Sequence, residues 1–259
     1  MKQTLLRLGS PLVTFAFVLL AWEAAVRLFG VPNYILPDVS QVVTALYRGY
    51  VDGEFWPHLF FTMKAMLLGY CAGSLLALIL GGLLAEAPIF ERFVFPLVIA
   101  LQSMPKVALA PLVIVWFGFG IESKIVLVAL ICFFPIFINA IVGLRSVDPN
   151  LVDMMKAFGC SSLDIMLQVK LPHAAGPIFA GLQIGVVLGL IGAVVGEFIA
   201  STQGLGFLIQ NGANALDLGI VFAGLVSLAV IGVTGTQLLR FLHARLVFWD
   251  RKSATSVAS

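Results

Sequence analysis

The sequence predicts an all-helical membrane protein that crosses the bilayer about six times, a single domain over residues 1–259. Three observations carry this. Hydrophobic residues fill 61% of the 259 positions and charged residues only 11%, against roughly 25% charged in ordinary soluble domains. Mean hydropathy is +1.08. Apolar runs of about 20 residues, the length that spans a bilayer, recur along nearly the whole chain. Such a chain has too few polar groups to cover itself in water. A disordered chain, a disulfide scaffold and an ordinary soluble enzyme are thereby excluded. Fifteen Lys and Arg against thirteen Asp and Glu leave a net charge of +2, which offers no basic surface for nucleic acid. Cys71 and Cys132 lie in apolar runs and Cys160 in a polar connection, a pattern of fillers plus one thiol, with no framework or metal set.

Taken in order, the expected spans are 10–29, 59–85, 93–119, 122–144, 174–199 and 218–241. The first has Lys2 and Arg7 before it and Ala24-Ala25 near its end. That is also the outline of a secretory signal, but the reading adopted is a first span. Span three holds Pro96, Pro105 and Pro111, and span four Pro135. Each interior proline deletes a backbone hydrogen bond and kinks its helix, which lipid tolerates only where protein or a watery cavity satisfies the backbone. Gln102, Ser103 and Lys106 fall in the same stretch near mid-span. Either this helix lines a pathway, or it is a kinked structural helix whose lysine pairs or snorkels. Span five carries Gly181, Gly185 and Gly189, then Gly192 and Gly196, a face for close approach to a neighbouring helix or partner subunit. It also carries Gln183 and ends at Glu197, placed at the outer rim, in a structural hydrogen bond or in the pathway.

Orientation follows from Lys and Arg in the connections. With the N-terminus inside, the inner segments hold Lys2, Arg7, Arg92, Arg145, Lys156, Lys170, Arg240, Arg245, Arg251 and Lys252. The outer ones hold Arg48 and Lys124, with Arg27 at the outer end of span one. Both termini are therefore expected in the cytoplasm, with connections 30–58, 119–122 and 200–217 outside.

The inner connection over 145–173 is long and not simply polar. Asp148 is a good N-cap and Pro149 suits the first helical position. The helix should run to Phe158 and stop at Gly159, the residue that best adopts a left-handed C-terminal turn. Ser161 then caps a second helix with Asp164 as its capping-box partner, and Leu171-Pro172 ends that helix. Met154, Met155 and Phe158 make one apolar patch, which either folds against the protein's own inner face or docks in a partner.

This loop resembles the cytoplasmic "EAA" loop of permease subunits of ATP-binding-cassette (ABC) importers. That pattern reads Glu-Ala-Ala, three residues, Gly, nine residues, Ile, one residue, Leu-Pro. Here it is Asp153-Met154-Met155, three residues including Ala157 and Phe158, Gly159, nine residues, Val169, one residue, Leu171-Pro172. The spacing matches throughout; of the opening triplet only the acid is kept. Ser103-Met104-Pro105-Lys106, Ala110-Pro111-Leu112, Trp116-Phe117-Gly118, Val195-Gly196-Glu197 and Gly204-Leu205-Gly206 are similar to the nitrate, sulfonate and taurine branch. The resemblance covers roughly residues 50–245.

The resemblance implies a type I importer permease fold in a bacterial inner membrane. It implies a separate ATPase subunit, using ATP and Mg, that grips Asp153, Met154, Met155, Ala157, Phe158, Gly159, Leu171 and Pro172. It implies a second permease copy, with the glycine face of span five as a possible contact. An external binding protein would dock on 30–58 and 200–217. The implied cargo is an oxyanion such as nitrate, bicarbonate, taurine or another sulfonate; other relatives carry pyrimidine vitamin precursors, riboflavin or aromatic acids. Gln102, Ser103, Lys106, Gln183 and Glu197 are the pathway candidates.

The residues themselves supply no catalytic machinery. There is no Gly-x-x-x-x-Gly-Lys-Ser/Thr phosphate loop and no Gly-x-Ser-x-Gly elbow. His58, His173 and His243 fit no helical metal motif. The chain is expected to bind no cofactor and not to be an enzyme. The alternative is a self-sufficient secondary transporter or channel with ion coupling through Lys64, Lys106 and Glu197. It lacks a second copy of the proline-broken segment, which paired repeats would supply.

Overall fold

The structure, a computed structural model, describes residues 2–249, with the side chains of 2–12, 15, 88–91 and 94 left aside. Of the basic residues counted above, Arg251 and Lys252 lie outside the described residues, as do the side chains of Lys2 and Arg7. The helices are α1 (Lys2–Leu28), α2 (Val39–Val51), α3 (Phe55–Ala85), α4 (Pro88–Ser103), α5 (Ala110–Phe117), α6 (Ile121–Arg145), α7 (Pro149–Ala157), α8 (Ser162–Ile165), α9 (Leu171–Ile199), α10 (Leu205–Asn214) and α11 (Leu218–Leu246). Among the described residues, α3, α6, the run Ser162–Ile199 and α11 are each long and apolar enough to cross a membrane. The bent pair Phe95–Ser103 and Lys106–Phe117 is apolar enough, taken together, to form a broken span or a re-entrant loop. The expected first span falls on α1, part of which lies outside the described side chains.

Packing divides the chain into two compact units, one formed by residues up to 61 with 202–229, the other by 62–201 with the residues from 230 onward. In the larger unit α6 is the axis, and its most extensive partner is α9. Glycine sets that approach. A Cβ on Gly181 would meet Asn139 and the backbone of Ile136; on Gly185 it would meet Ile136, and on Gly192 Ile131 and Val128. The glycine face of α9 is thus spent inside the chain against α6, and the expectation that it could meet a second copy is corrected. The same device works on the other flank, where Gly69 and Gly73 of α3 lie against Val128, Ala129 and Cys132. The core that results is aromatic and branched, with Ile136, Phe137 and Ile141 buried. Pro135 leaves α6 unbroken, and its carbonyl accepts Asn139 Nδ2 at 2.7 Å.

Span three is not one kinked rod. Its two halves, Phe95–Ser103 and Lys106–Phe117, meet at 83°. Pro105 forces Met104 into extended backbone (φ −71°, ψ 138°), which ends α4. A 3-10 turn over Lys106–Leu109 follows, and Pro111 sits in the first turn of α5, where a missing N–H costs nothing. Pro172 does the opposite of what was expected. The chain runs without a break from α8 through a π-helical turn, Met166–Lys170, into α9. In that wider turn the Leu171 N–H reaches back five residues to Met166 O. The re-spaced carbonyls absorb the donor that proline lacks.

The smaller unit contains two helices that the sequence reading left as connections, α2 and α10. Asp38 caps α2, accepting from Gln41 N at 2.7 Å and the Ser40 hydroxyl at 2.8 Å. Glu23 of α1 accepts from Val39 N at 2.7 Å, and Trp22 Nε1 donates to Pro37 O at 3.1 Å. Tyr50 donates to Ser227 Oγ at 2.7 Å and so ties α2 to α11. His58 Nδ1 accepts from Gly204 N at 3.1 Å, its ring stacked on Phe207 of α10.

Candidate functional site

Three places in the fold concentrate polar chemistry or unusual exposure. The first is the corner between α7 and α8. Asp148 accepts from Asn150 N at 2.9 Å and starts α7. At the other end Gly159 takes φ 79°. Its N–H donates to Lys156 O at 2.9 Å and Cys160 N to Met155 O at 3.1 Å, the paired bonds of a Schellman stop. Ser161 and Asp164 form the expected capping box, with Asp164 N on Ser161 Oγ at 3.2 Å and Ser161 N on Asp164 Oδ2 at 3.1 Å.

This corner leaves its apolar side chains uncovered. Phe158 is 78% exposed, Leu163 66% and Met154 46%, whereas Met155 is half-buried. Asp153 and Ala157 are exposed, and Asp153 pairs with Lys156 at 3.1 Å. Leu171 is exposed, and the Pro172 carbonyl accepts Trp249 Nε1 at 3.1 Å. Both roots of the loop are fastened to the end of α3: Arg145 Nη2 donates to Leu84 O at 3.2 Å, and Lys170 pairs with Glu86 at 2.5 Å. Cations at a helix C-terminus are favourable there. Between α3, α6 and α8 lies an apolar cavity of about 570 Å³, lined by Leu78, Leu83, Leu144, Leu163 and Met166.

The second place is the break in span three. Ser103 Oγ donates to Ile99 O at 3.0 Å and Lys106 Nζ to Gln102 O at 3.2 Å. Lys106 covers a carbonyl left open where α4 stops, and Ser103 bonds back to the carbonyl one turn earlier. The Lys106 ammonium also sits 4.7 Å from the centre of the Phe134 ring, a cation–π distance. Gln102 and Ser103 are exposed and Lys106 is half-buried. Gln183 is half-buried on α9.

The third place lies at the end of α9. Glu197, expected at the rim in a structural hydrogen bond or in the pathway, is in the last turn of that helix, 1% exposed, and accepts the Thr62 hydroxyl at 2.8 Å. Near it lies Lys124, which the charge count placed in an outer connection and which is wholly buried. Its Nζ donates to Phe119 O at 2.8 Å and to Ala200 O. Sequence carried no signal for this, because one acceptor lies 76 positions away. Lys64 is exposed on α3. The structure thus gives Lys64, Lys106 and Glu197 three different settings. Among the described residues no group of His, Cys, Asp and Glu could hold a metal ion.

In the smaller unit, residues of two of the expected outer connections, 30–58 and 200–217, line one polar cavity of about 700 Å³, with Gln41, Arg48, Asp52, Glu54 and Asp217 on its wall. Asp217 also caps α11, accepting from Ile220 N at 3.2 Å.

Comparison with known proteins agrees with this architecture. Residues 69–248 match the family model described as binding-protein-dependent transport system inner membrane component. The riboflavin transport system permease protein of Chloroflexus aurantiacus is 38% identical, over 94% of this chain and 90% of its own. The taurine transport system permease protein of Escherichia coli is 30% identical, over 96% and 90%. The formylaminopyrimidine transport permease protein of Halalkalibacterium halodurans is 31% identical, over 93% and 96%. Among solved structures, an inward-facing MetNI methionine ABC transporter chain shares the fold, with a TM-score of 0.59 at 19% identity, over 79% of this chain and 95% of that one. The protein is a multi-pass membrane protein with a type I importer permease fold, and it belongs to the family of binding-protein-dependent inner membrane components, the permease subunits of ABC importers.

Proposed function

We propose that this permease provides the alternating-access pathway for a small solute and is driven by a separate ATPase subunit that grips the corner at Gly159. The observation that carries the reading is Phe158, 78% exposed beside Leu163 and Met154 on a rigidly capped turn. Water does not favour such a patch, and a partner's groove would cover it. ATP and Mg would be used by that partner, with no cofactor bound by this chain. Closure of paired ATPases would move α7 and α8, and the connected helices would switch the pathway between outward and inward access. Nucleotide shifts that equilibrium only through its different affinity for the two states.

Both termini and the corner would face the cytoplasm, a reading supported by the Lys and Arg count in the connections, in a bacterial inner membrane. A second permease copy completes the pathway, since two-fold assemblies are the commonest closed form. An external binding protein would dock at the polar cavity beside Arg48 and Asp217. The proposed cargo is a small organic or inorganic oxyanion, supported by the taurine and aliphatic sulfonate permeases among the relatives. A second reading, a planar heterocycle, is favoured by the 38% identity to the riboflavin permease. Uptake of labelled taurine and of riboflavin into proteoliposomes, with ATPase and binding protein present, separates the two. The secondary-transporter alternative would be upheld if this chain alone concentrated solute on an ion gradient.

The docking role is tested by Gly159→Trp. A Cβ at φ 79° is strained by roughly 1–2 kcal/mol, and the indole would obstruct the corner. The variant should insert normally, lose the ATPase on co-purification and lose ATP-driven uptake. Normal uptake by this variant refutes the reading.

A further inference from the structure

Lys124 is the largest fully enclosed side chain among the described residues. A lysine in the first turn of a span ordinarily extends its ammonium toward water. Here the stem instead crosses α9 at Gly196, where a Cβ would stand 3.2 Å from Lys124 Cγ. A buried ammonium is costly unless it is paired and hydrogen-bonded, so its partners matter. Its hydrogen bonds go to two backbone carbonyls. Phe119 O lies just past Gly118, the left-handed residue (φ 80°) that ends α5. Ala200 O belongs to the C-cap of α9. Ala200 O carries the negative partial charge of a helix C-terminus, which a cation stabilises, and Phe119 O is a carbonyl of the connection between α5 and α6. Glu197, the residue after Gly196 and itself buried, adds negative charge nearby, as does Glu122 in the first turn of α6.

The near end of α9 matters equally. From Ser162 at the corner to Ile199 the helix is continuous, and its glycine face keeps it close against α6. A rod therefore runs from the corner to the carbonyl that Lys124 holds, and the same ammonium holds the end of the broken segment. We propose that Lys124 is a positioning residue, a buried clamp that makes the far end of α9 and the end of α5 move as one body. Motion entering at the corner thereby reaches the break in span three. The clamp rests on the proposed ATPase-driven function, but its geometry can be measured separately.

The test uses the full transporter in nanodiscs, with spin labels on cysteines replacing the exposed Trp116 and Ile199. Cys71, Cys132 and Cys160 are replaced by alanine in that background. The clamp predicts one 116–199 separation in the nucleotide-free and the ATP–vanadate-trapped states. In the native-cysteine background, Lys124→Met should reduce uptake at least tenfold while ATPase co-purification and ATP hydrolysis persist. Lys124→Arg, which keeps the charge, should recover part of that loss. A separation that changes between the nucleotide states overturns the clamp even if Lys124→Met fails to fold; so does wild-type uptake by Lys124→Met. Failure of the unsubstituted chain to hold an ATPase overturns the functional reading, and the clamp's role with it.

Discussion

The corner at Gly159 and the break at Pro105 are both interruptions between capped helices, yet their exposed side chains mean different things. At the corner, Phe158 and Leu163 are exposed on a loop between short helices bearing Asp153, Lys156 and Asp164. At the break, Met104 and Val107 are each 46% exposed, but they belong to a membrane-spanning segment whose surroundings are apolar. Exposed hydrophobic surface is unfavourable in water and unremarkable in lipid. On the proposed reading the corner requires a partner, whereas the break requires only that its backbone be satisfied, to which Lys106 contributes. Substitutions of the exposed side chains at the corner should change partner binding and leave fold stability alone, and substitutions in the core should do the reverse.

The largest effect expected is at the corner itself. Besides Gly159→Trp, Phe158→Asp should weaken ATPase co-purification and uptake by tenfold or more, with the melting temperature of the purified chain unchanged. Equal loss of melting temperature would assign Phe158 to self-packing. Overpacking the α6–α9 seam comes next. Gly181→Val should destabilise the chain by about 1–3 kcal/mol, read as a lower melting temperature in detergent, because its side chain would press on Asn139 and Ile136. A neutral effect would show that the seam can open. At the break, Lys106→Met should reduce uptake several-fold if an anion passes that point, with ATPase binding intact. Unchanged rate and substrate affinity would leave Lys106 as the cap of α4 alone.

The smallest effect concerns Asp38. The Ser40 hydroxyl, and after it the Gln41 N–H, hold its carboxyl below the usual carboxylate range. Its folded-state value is lowered, so the cap's contribution is present above the ordinary value near pH 4 and is lost as pH falls through the lowered one. Asp38→Ala should cost about 1 kcal/mol or less at neutral pH, and nothing once the acid has been protonated. A melting-temperature difference that does not shrink as the pH is lowered from neutral through the acid range would rule out that origin.

Much of the corner was legible in sequence because its determinants are local. Asp148, Gly159, Ser161 and Asp164 each act within a few residues, and all four take the expected positions. The prolines were not legible in the same way. Pro105 and Pro172 follow Met and Leu alike, yet one ends a helix and the other is passed through. What separates them is whether the preceding turn can widen, and that depends on the packing around it. Helices α2 and α10 were hidden because length, the criterion for a span, does not detect short helices. Asp38 before Val39, Val42 and Leu46 was the available signal for α2.

By itself, the sequence determined the solvent, the helical class and the capped corner, because hydropathy and capping act between a residue and its immediate neighbours. Only the tertiary structure decided that the glycine face of α9 belongs to α6, that span three turns through 83°, and that Lys124 is enclosed. Those outcomes depend on which backbone atoms arrive beside a residue from far along the chain. No local spacing encodes the meeting of Lys124 with the carbonyl of Ala200.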